Sequence, residues 1–274
     1  MALSAGDAHT CALLADGTAR CWGDNWYGQL GDGSTTSSAS PVVVGGATPL
    51  TDIVALSAGG AHTCALLADG TARCWGDNWY GQLGDGSTTS SASPVVVGGA
   101  TPLTNVLALS AGYAHSCALV ADGSARCWGA NGAGQLGDGT TTSSASPVVV
   151  GGATPLTNVL ALSAGSYHSC ALLADGGVRC WGANWSGQLG DGSTTSSPSP
   201  VAVGGATPLT DIVALSAGGE YSCALLADGG VRCWGRNDYG QLGDGTTTDS
   251  ASPVSSLLGP LVYRSYVPLI ARSN

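Results

Sequence analysis

His62-Thr63-Cys64-Ala65-Leu66-Leu67-Ala68-Asp69-Gly70-Thr71-Ala72-Arg73-Cys74-Trp75 decides the fold. Two short runs of apolar and β-branched residues flank Asp69-Gly70, a dipeptide that supplies the left-handed backbone of a tight hairpin turn. Upstream, Asp52-Ile53-Val54-Ala55-Leu56-Ser57 is another apolar run, ended by Gly59-Gly60. Downstream, Gly81-Gln82-Leu83-Gly84-Asp85-Gly86 opens a Ser/Thr-rich loop. Pro94-Val95-Val96-Val97 then reads as a fourth strand that begins at its proline. No part of the unit carries the 3.6-residue period of a helix.

The unit is repeated. Ser-Ala-Gly recurs at Ser4, Ser57, Ser110, Ser163 and Ser216, each 53 residues after the last. A fixed period of that size marks a solenoid, a propeller or an array. Four strands per unit, with glycine-rich turns, match a propeller blade. The expected fold is therefore all-β: a β-propeller of five four-stranded antiparallel blades over residues 1–256. The repeats run over about 4–56, 57–109, 110–162, 163–215 and 216–256, with 257–274 as a C-terminal tail. Within that tail, Val262 to Ile270 reads as a strand-like apolar stretch suited to a cap or a targeting signal. The Pro-Val strand recurs at Pro41, Pro94, Pro147, Pro200 and Pro253. Counted around a ring, Pro253-Val254-Ser255 is expected to complete the blade begun by Ala2-Leu3-Ser4, hiding two sheet edges.

Composition agrees with a packed repeat. Glycine is 44 of 274 residues and only 9% of residues are charged, yet 43% are hydrophobic and eight are Trp. The net charge is −10, there is no Lys, and the Arg residues are dispersed. Phosphate binding needs a basic patch, so nucleic acid is a poor partner, as is an anionic membrane surface. The apolar stretches are too short to span a bilayer, so no membrane insertion is expected. Met1-Ala2-Leu3-Ser4-Ala5-Gly6 has no basic or apolar leader region and begins inside a repeat, the reading expected of a fragment.

Ala-Gly-x-x-His-(Ser/Thr)-Cys-Ala-Leu, then Asp-Gly, then Cys-Trp-Gly-x-Asn, then Gly-Gln-Leu-Gly-Asp-Gly resembles the regulator of chromosome condensation repeat. The match runs from His62 through Asp69-Gly70 and Trp75-Gly76 to Gly81-Gln82-Leu83-Gly84. It recurs five times and covers almost all of residues 2–254. The resemblance implies a propeller, usually of seven blades in that family, where this chain has five copies. It also implies binding functions, since members include a guanine-nucleotide exchange factor and a bacterial β-lactamase inhibitor.

Each repeat carries two cysteines: Cys11/Cys21, Cys64/Cys74, Cys117/Cys127, Cys170/Cys180 and Cys223/Cys233. A three-residue turn at Ala15-Asp16-Gly17 makes Leu14 face Thr18 and Cys11 face Cys21. That is a non-hydrogen-bonded pair, with Cα atoms about 4.5 Å apart, within reach of a disulfide. A disulfide per hairpin is the favoured reading and implies an oxidising, extracellular or cell-surface setting. Buried free thiols acting as small apolar residues compete with it. Zinc would lack two ligands per blade.

Other recurrent polar residues read as structural. His9, His62, His115 and His168, with Tyr221 in fifth place, are each expected to bond a backbone carbonyl. Arg20, Arg73, Arg126, Arg179 and Arg232 are expected to form hydrogen bonds between blades. Asp32, Asp85, Asp138, Asp191 and Asp244 read as turn residues, a calcium site being the weaker alternative. No catalytic constellation stands out, and Glu220 is the only Glu. No enzyme activity, cofactor or metal is called for.

The copies differ in two loops. The first is after Ser-Ala-Gly, holding Tyr113, Tyr167 and Glu220. The second is around the fixed Asn after Trp-Gly, holding Asp24, Trp26, Tyr27, Asp77, Trp79, Tyr80, Trp185, Arg236, Asp238 and Tyr239. Both loops follow strands that run parallel, so they emerge on one side. Variable aromatic and acidic loops on one face suit an interaction surface for a protein or glycan. The competing readings are an exchange-factor or enzyme-inhibitor role, from the resemblance, and a recently amplified scaffold without a ligand.

Overall fold

The computed structural model describes residues 1–258, so the expectation for Val262 to Ile270 lies outside the described residues. The first blade consists of β1 (Ala2–Ala5), β2 (His9–Leu13), β3 (Ala19–Gly23) and β4 (Ser38–Val43). The second holds β5 (Ile53–Ala58), β6 (His62–Leu67), β7 (Ala72–Gly76) and β8 (Ser91–Val96). The third holds β9 (Val106–Ala111), β10 (His115–Val120), β11 (Ala125–Gly129) and β12 (Ser144–Val149). The fourth holds β13 (Val159–Ala164), β14 (His168–Leu173), β15 (Val178–Gly182) and β16 (Ser197–Ala202). The fifth holds β17 (Ile212–Ala217), β18 (Tyr221–Leu226), β19 (Val231–Gly235) and β20 (Ser250–Ser255). Each blade is one four-stranded sheet in chain order, with every neighbouring pair antiparallel.

The hairpin forms as its turn chemistry dictates. Leu67 N donates to Thr71 O at 2.9 Å and Gly70 N to Leu67 O at 3.0 Å, with Gly70 at φ 78°. The carboxylate of Asp69 accepts from Thr71 N and Oγ1, and these bonds lower its pKa. The register that follows pairs Leu66 with Ala72 and Cys64 with Cys74. The same register brings Cys11 to Cys21, Cys117 to Cys127, Cys170 to Cys180 and Cys223 to Cys233. All five pairs are disulfides with Cα atoms 4.1 Å apart. Strand β5 begins at Ile53 because Asp52 takes a left-handed φ of 59°, which Asp tolerates better than branched residues do. Strand β8 begins at Ser91 rather than at Pro94; the proline sits inside it, on the outer edge and beside a register shift, where the missing N–H is tolerated.

The core lies between blades. Cys11, Leu13, Ala19, Cys21, Leu30 and Val44 of the first blade pack with Ile53, Ala65, Leu67 and Trp75 of the second. Equivalent clusters join the second blade to the third, the third to the fourth and the fourth to the fifth. One polar seam crosses each junction. The backbone carbonyl of Gln29 accepts from Trp75 Nε1 at 2.9 Å and from Thr63 Oγ1 at 3.1 Å. The same hydroxyl lies 2.8 Å from His9 Nε2. Its single hydrogen goes to the carbonyl, so His9 Nε2–H is the donor and Nδ1 carries no proton. Gly31, at φ 73°, lies directly under the Trp75 indole, where a Cβ would collide with the ring. The seam recurs through Gln82 with Trp128 and Ser116, Gln135 with Trp181 and Ser169, and Gln188 with Trp234 and Ser222. A second tie runs from Ala58 N to Ser4 Oγ at 2.9 Å and also repeats at each junction.

Three expectations are corrected. Pro253-Val254-Ser255 does not complete the first blade; Val254 pairs with Cys233 and Ser255 with Arg232 in its own sheet. The first unit already has four strands, so no strand is surplus, and antiparallel pairing with the preceding strand closes a much shorter loop than pairing across the termini. Among the described residues, the seam is absent between the fifth and first blades. Leu3 is accordingly 75% exposed and Trp22 half-buried, whereas Trp75, Trp128, Trp181 and Trp234 are fully buried. The histidines bond a side-chain hydroxyl of the next blade rather than a carbonyl. The recurrent arginines make no interblade hydrogen bond among the described residues; Arg179 and Arg232 reach only the carbonyl of the preceding valine, at 3.4 Å.

The seam can be tested by substitution and by pH. Thr63→Val removes the hydroxyl that links His9 to the Gln29 carbonyl and strands a buried donor. It is expected to cost about 1–3 kcal/mol in chemical denaturation. Thr10→Val, at the same repeat position but with no seam to another blade among the described residues, should be nearly neutral; equal losses would refute the seam. The pH test rests on the histidines. Burial pushes His62 and His115 from the ordinary 6.5 down to about 3 and His168 to about 4, and lowers His9. The unfolded chain therefore binds more protons below 6.5. This contribution to stability is complete above that pH and is lost progressively as pH falls toward the folded-state values. Tm measured from pH 7.5 to 4 should fall on the acid side, and a flat profile would contradict the buried neutral histidines.

Candidate functional site

The loops that follow the first and third strands of a blade meet on one face. Asp24 N donates to Ala8 O at 2.8 Å, and the same bond joins the two loops in every copy. The fixed Asn organises the second loop. Asn25 is fully buried; its Nδ2 donates to the carbonyls of Ser34 and Thr36, and its Oδ1 accepts from Leu30 N at 2.9 Å. Gln29 Oε1 accepts from Tyr27 N at 3.0 Å while its Nε2 donates to Asp24 Oδ2 at 2.7 Å. The loop is thus pinned from within, and Trp26 projects from its tip. Sequence reading found the Asn invariant but gave it no role, because its partners lie up to 11 residues downstream.

The ten cysteines form the five expected disulfides, and these sit within the blades. Cys11, Cys21, Cys74, Cys127 and Cys180 have no exposed surface, and Cys64, Cys117 and Cys170 are buried beside them. Cys127 packs in the apolar cluster between blades three and four, and Cys180 in the one between blades four and five. The cause is strand alternation: each cysteine shares a sheet face with the residues that the neighbouring blade covers. Only Cys223, in the last blade, is half-buried. The first four disulfides are therefore interior staples of the hairpins, while the fifth borders a cavity beside Leu257 and Leu258.

The expected loop residues fall into two groups. In blades one and two, Trp26 and Trp79 are 76% and 73% exposed, each next to a less exposed tyrosine, Tyr27 or Tyr80, and near Asp24 or Asp77. In blades three to five the residues touch. Tyr113 and Tyr167 have ring centroids 5.9 Å apart, and Tyr167 and Trp185 5.7 Å apart, both tilted. Trp185 Nε1 donates to Glu220 Oε1 at 3.2 Å. Arg236 then bridges Glu220 at 3.1 Å and Asp238 at 2.7 Å. Its hydrogen bond to Asp238, with both carboxylate charges, raises its pKa. Tyr239 stands apart, 87% exposed. Trp26 and Trp79 have no such partners because Ala61 and Ala114 occupy the repeat position at which Trp185 finds Glu220.

Three cavities bear on the site. The strand ends of all five blades surround a 260 Å³ mouth that includes Asp7, Tyr113 and Ser166. A 300 Å³ cavity lies beside it, between blades four and five, lined in part by Tyr167, Glu220, Arg236 and Tyr239. Ser166 and Tyr221 also line it, and sequence reading did not include them; the available signal was that Tyr221 replaces the recurrent His. A 720 Å³ crevice between blades one and two is lined by Pro49, Leu50, Leu67 and Pro94, types that recur in the other copies and reflect blade packing.

The fold has counterparts among known proteins. The chain is 32% identical over 267 residues to the human E3 ubiquitin-protein ligase HERC2, covering 96% of this chain and 6% of HERC2. It is 29% identical over 252 residues to the ultraviolet-B receptor UVR8 of Arabidopsis thaliana, covering 92% of this chain and 56% of UVR8. The chain thus spans a small part of the first relative and little more than half of the second. Among solved structures, yeast RCC1 (Prp20), bound to Kap60, superposes with a TM-score of 0.76 at 23% identity, covering 93% of this chain and 60% of that one. A model of the RCC1-like domain matches residues 1–264, and with the repeat motif and the four-stranded blades this establishes that the chain belongs to the RCC1-like domain family.

Proposed function

We propose that this protein is a non-catalytic binding propeller, and that a protein partner docks on the loop face carrying Trp26, Tyr27, Trp79 and Tyr80. The observation that carries this reading is the exposure of Trp26 and Trp79, 76% and 73%, in a chain whose blade tryptophans at the other junctions are fully buried. The fold does not need them, since copies three and five have Gly132 and Asp238 at that position. Large aromatic side chains held in water on rigid loops suit the anchors of an interface. Asp24 and Asp77, next to them, favour a partner that offers basic or hydroxyl groups, in keeping with the net charge of −10.

A relative in fold supports a protein as the ligand: yeast RCC1 (Prp20) is described bound to Kap60, and Prp20p as having binding properties to Gsp1p and histones. The five disulfides favour a secreted or surface-exposed setting over the exchange-factor role suggested by resemblance.

The test compares wild type with Trp26→Ala and Trp79→Ala. Each variant should keep its Tm while weakening a captured partner by more than about 1 kcal/mol in calorimetric titration. Unfolding of either variant with affinity intact would make these tryptophans structural and overturn the docking face.

A further inference from the structure

Copy-to-copy comparison isolates one cavity from the rest of the face. Of the residues lining the 300 Å³ cavity between blades four and five, Ser166, Tyr167, Glu220, Tyr221 and Arg236 each occur at their repeat position in no other copy. Glu220 is the only glutamate of the chain, and Arg236 is the only described arginine outside the five hairpin positions. These two singular residues meet at 3.1 Å. Outside the two variable loops the copies are nearly identical, so a cavity at which five singular residues meet is not a property of the blade.

The chemistry of the lining narrows the ligand. Tyr167, Tyr221 and Tyr239 offer aromatic faces and hydroxyls, Ser166 a further hydroxyl, and Gln241 an amide. Glu220 and Arg236 offset each other's charge, yet both keep unused lone pairs and N–H groups, since a carboxylate accepts about four bonds and a guanidinium donates five. An anionic ligand would meet Glu220 and nearby Asp238. A cationic one would meet Arg236. A neutral ligand with many hydroxyls and an apolar flank uses what is present: stacking on tyrosine, with directional hydrogen bonds from the paired charges. A volume of 300 Å³, at the lower end of small-molecule sites, holds one or two sugar rings.

We propose that this cavity is a binding site for a neutral sugar unit of a glycan. It is separate from the docking of a protein on Trp26 and Trp79 and does not require it. Tyr167 and Tyr239 flank the ring, and Glu220, Arg236 and Gln241 bond its hydroxyls. Trp185, whose Nε1–H is held by Glu220 at 3.2 Å, reports occupancy through its fluorescence.

The test titrates the full chain with a panel of neutral mono- and disaccharides: glucose, galactose, mannose, N-acetylglucosamine and their β-linked dimers. Glucuronate and a lysine-rich peptide serve as charged controls. Saturation-transfer NMR and tryptophan fluorescence are the readouts. At least one neutral sugar should bind saturably. The double variant Glu220→Ala, Arg236→Ala should weaken it about tenfold or more, as the loss of a charge-assisted hydrogen bond does. That variant carries the residues of copies that already fold, Ala61 and Ala114 at the first position and Ala130 and Ala183 at the second, so unfolding does not confound it. Trp26→Ala should leave sugar binding unchanged, which separates this site from the protein-docking reading. Absence of saturable binding by any neutral sugar, preference for either charged control, or unaltered affinity in the double variant would each overturn the proposal.

Discussion

A single backbone carbonyl in each of the first four Gly-Gln-Leu-Gly loops ties its blade to the next. The carbonyl of Gln29 accepts the indole N–H of Trp75 and the hydroxyl of Thr63, both from the next blade. A carbonyl has two acceptor positions, and this one fills both from one neighbour. The hydroxyl in turn takes the N–H of His9, so the loop, the hairpin and the inner strand end of adjoining blades are fixed by one connected network. Leu30, one residue on, is fully buried in the apolar cluster at the same junction. Polar and apolar contacts thus converge on the same four-residue loop, and the motif's invariance across copies has a direct physical cause.

This seam explains why the histidines are buried and neutral. Each sits against a glycine where a Cβ would overlap its ring, and each loses solvation without gaining an anionic partner in contact. Burial therefore dominates its titration. The seam also explains the fifth copy. With no described blade beyond the fifth to cover it, Tyr221 is half-buried where the other copies bury His, and the position is free to take a larger side chain that opens onto a cavity.

Repetition provides an internal control. Where the four junctions agree, a residue serves the blade; where one copy departs, the departure can be read against the other four. By that comparison the loop face separates into two parts. Trp26 and Trp79 are repeats of one another, each unpartnered beside an alanine of the next blade. From Tyr113 to Asp238 the substitutions instead build a chain of contacts across three blades.

The sequence carries what is local. The 53-residue period, the Asp-Gly turn, the pairing of Cys11 with Cys21 and the emergence of both variable loops on one side follow from strand alternation and turn geometry, which act over a few residues. It also identified the members of the variable loops, because differences between copies are visible without coordinates. Tertiary structure alone decided which blade receives each strand, and that Pro253 stays within its own sheet, since closure depends on how five sheets pack rather than on how many strands are written. It decided too that the Cys127 and Cys180 sides of their hairpins are sealed from solvent, because burial comes from the neighbouring blade and not from the hairpin itself. It likewise decided that His9 bonds Thr63 and that Trp185 bonds Glu220, pairs 54 and 35 residues apart whose meeting depends on the angle between neighbouring blades. Hydrogen bonds are short-ranged and directional, so no one-dimensional pattern specifies them until packing sets the distance between their donors and acceptors.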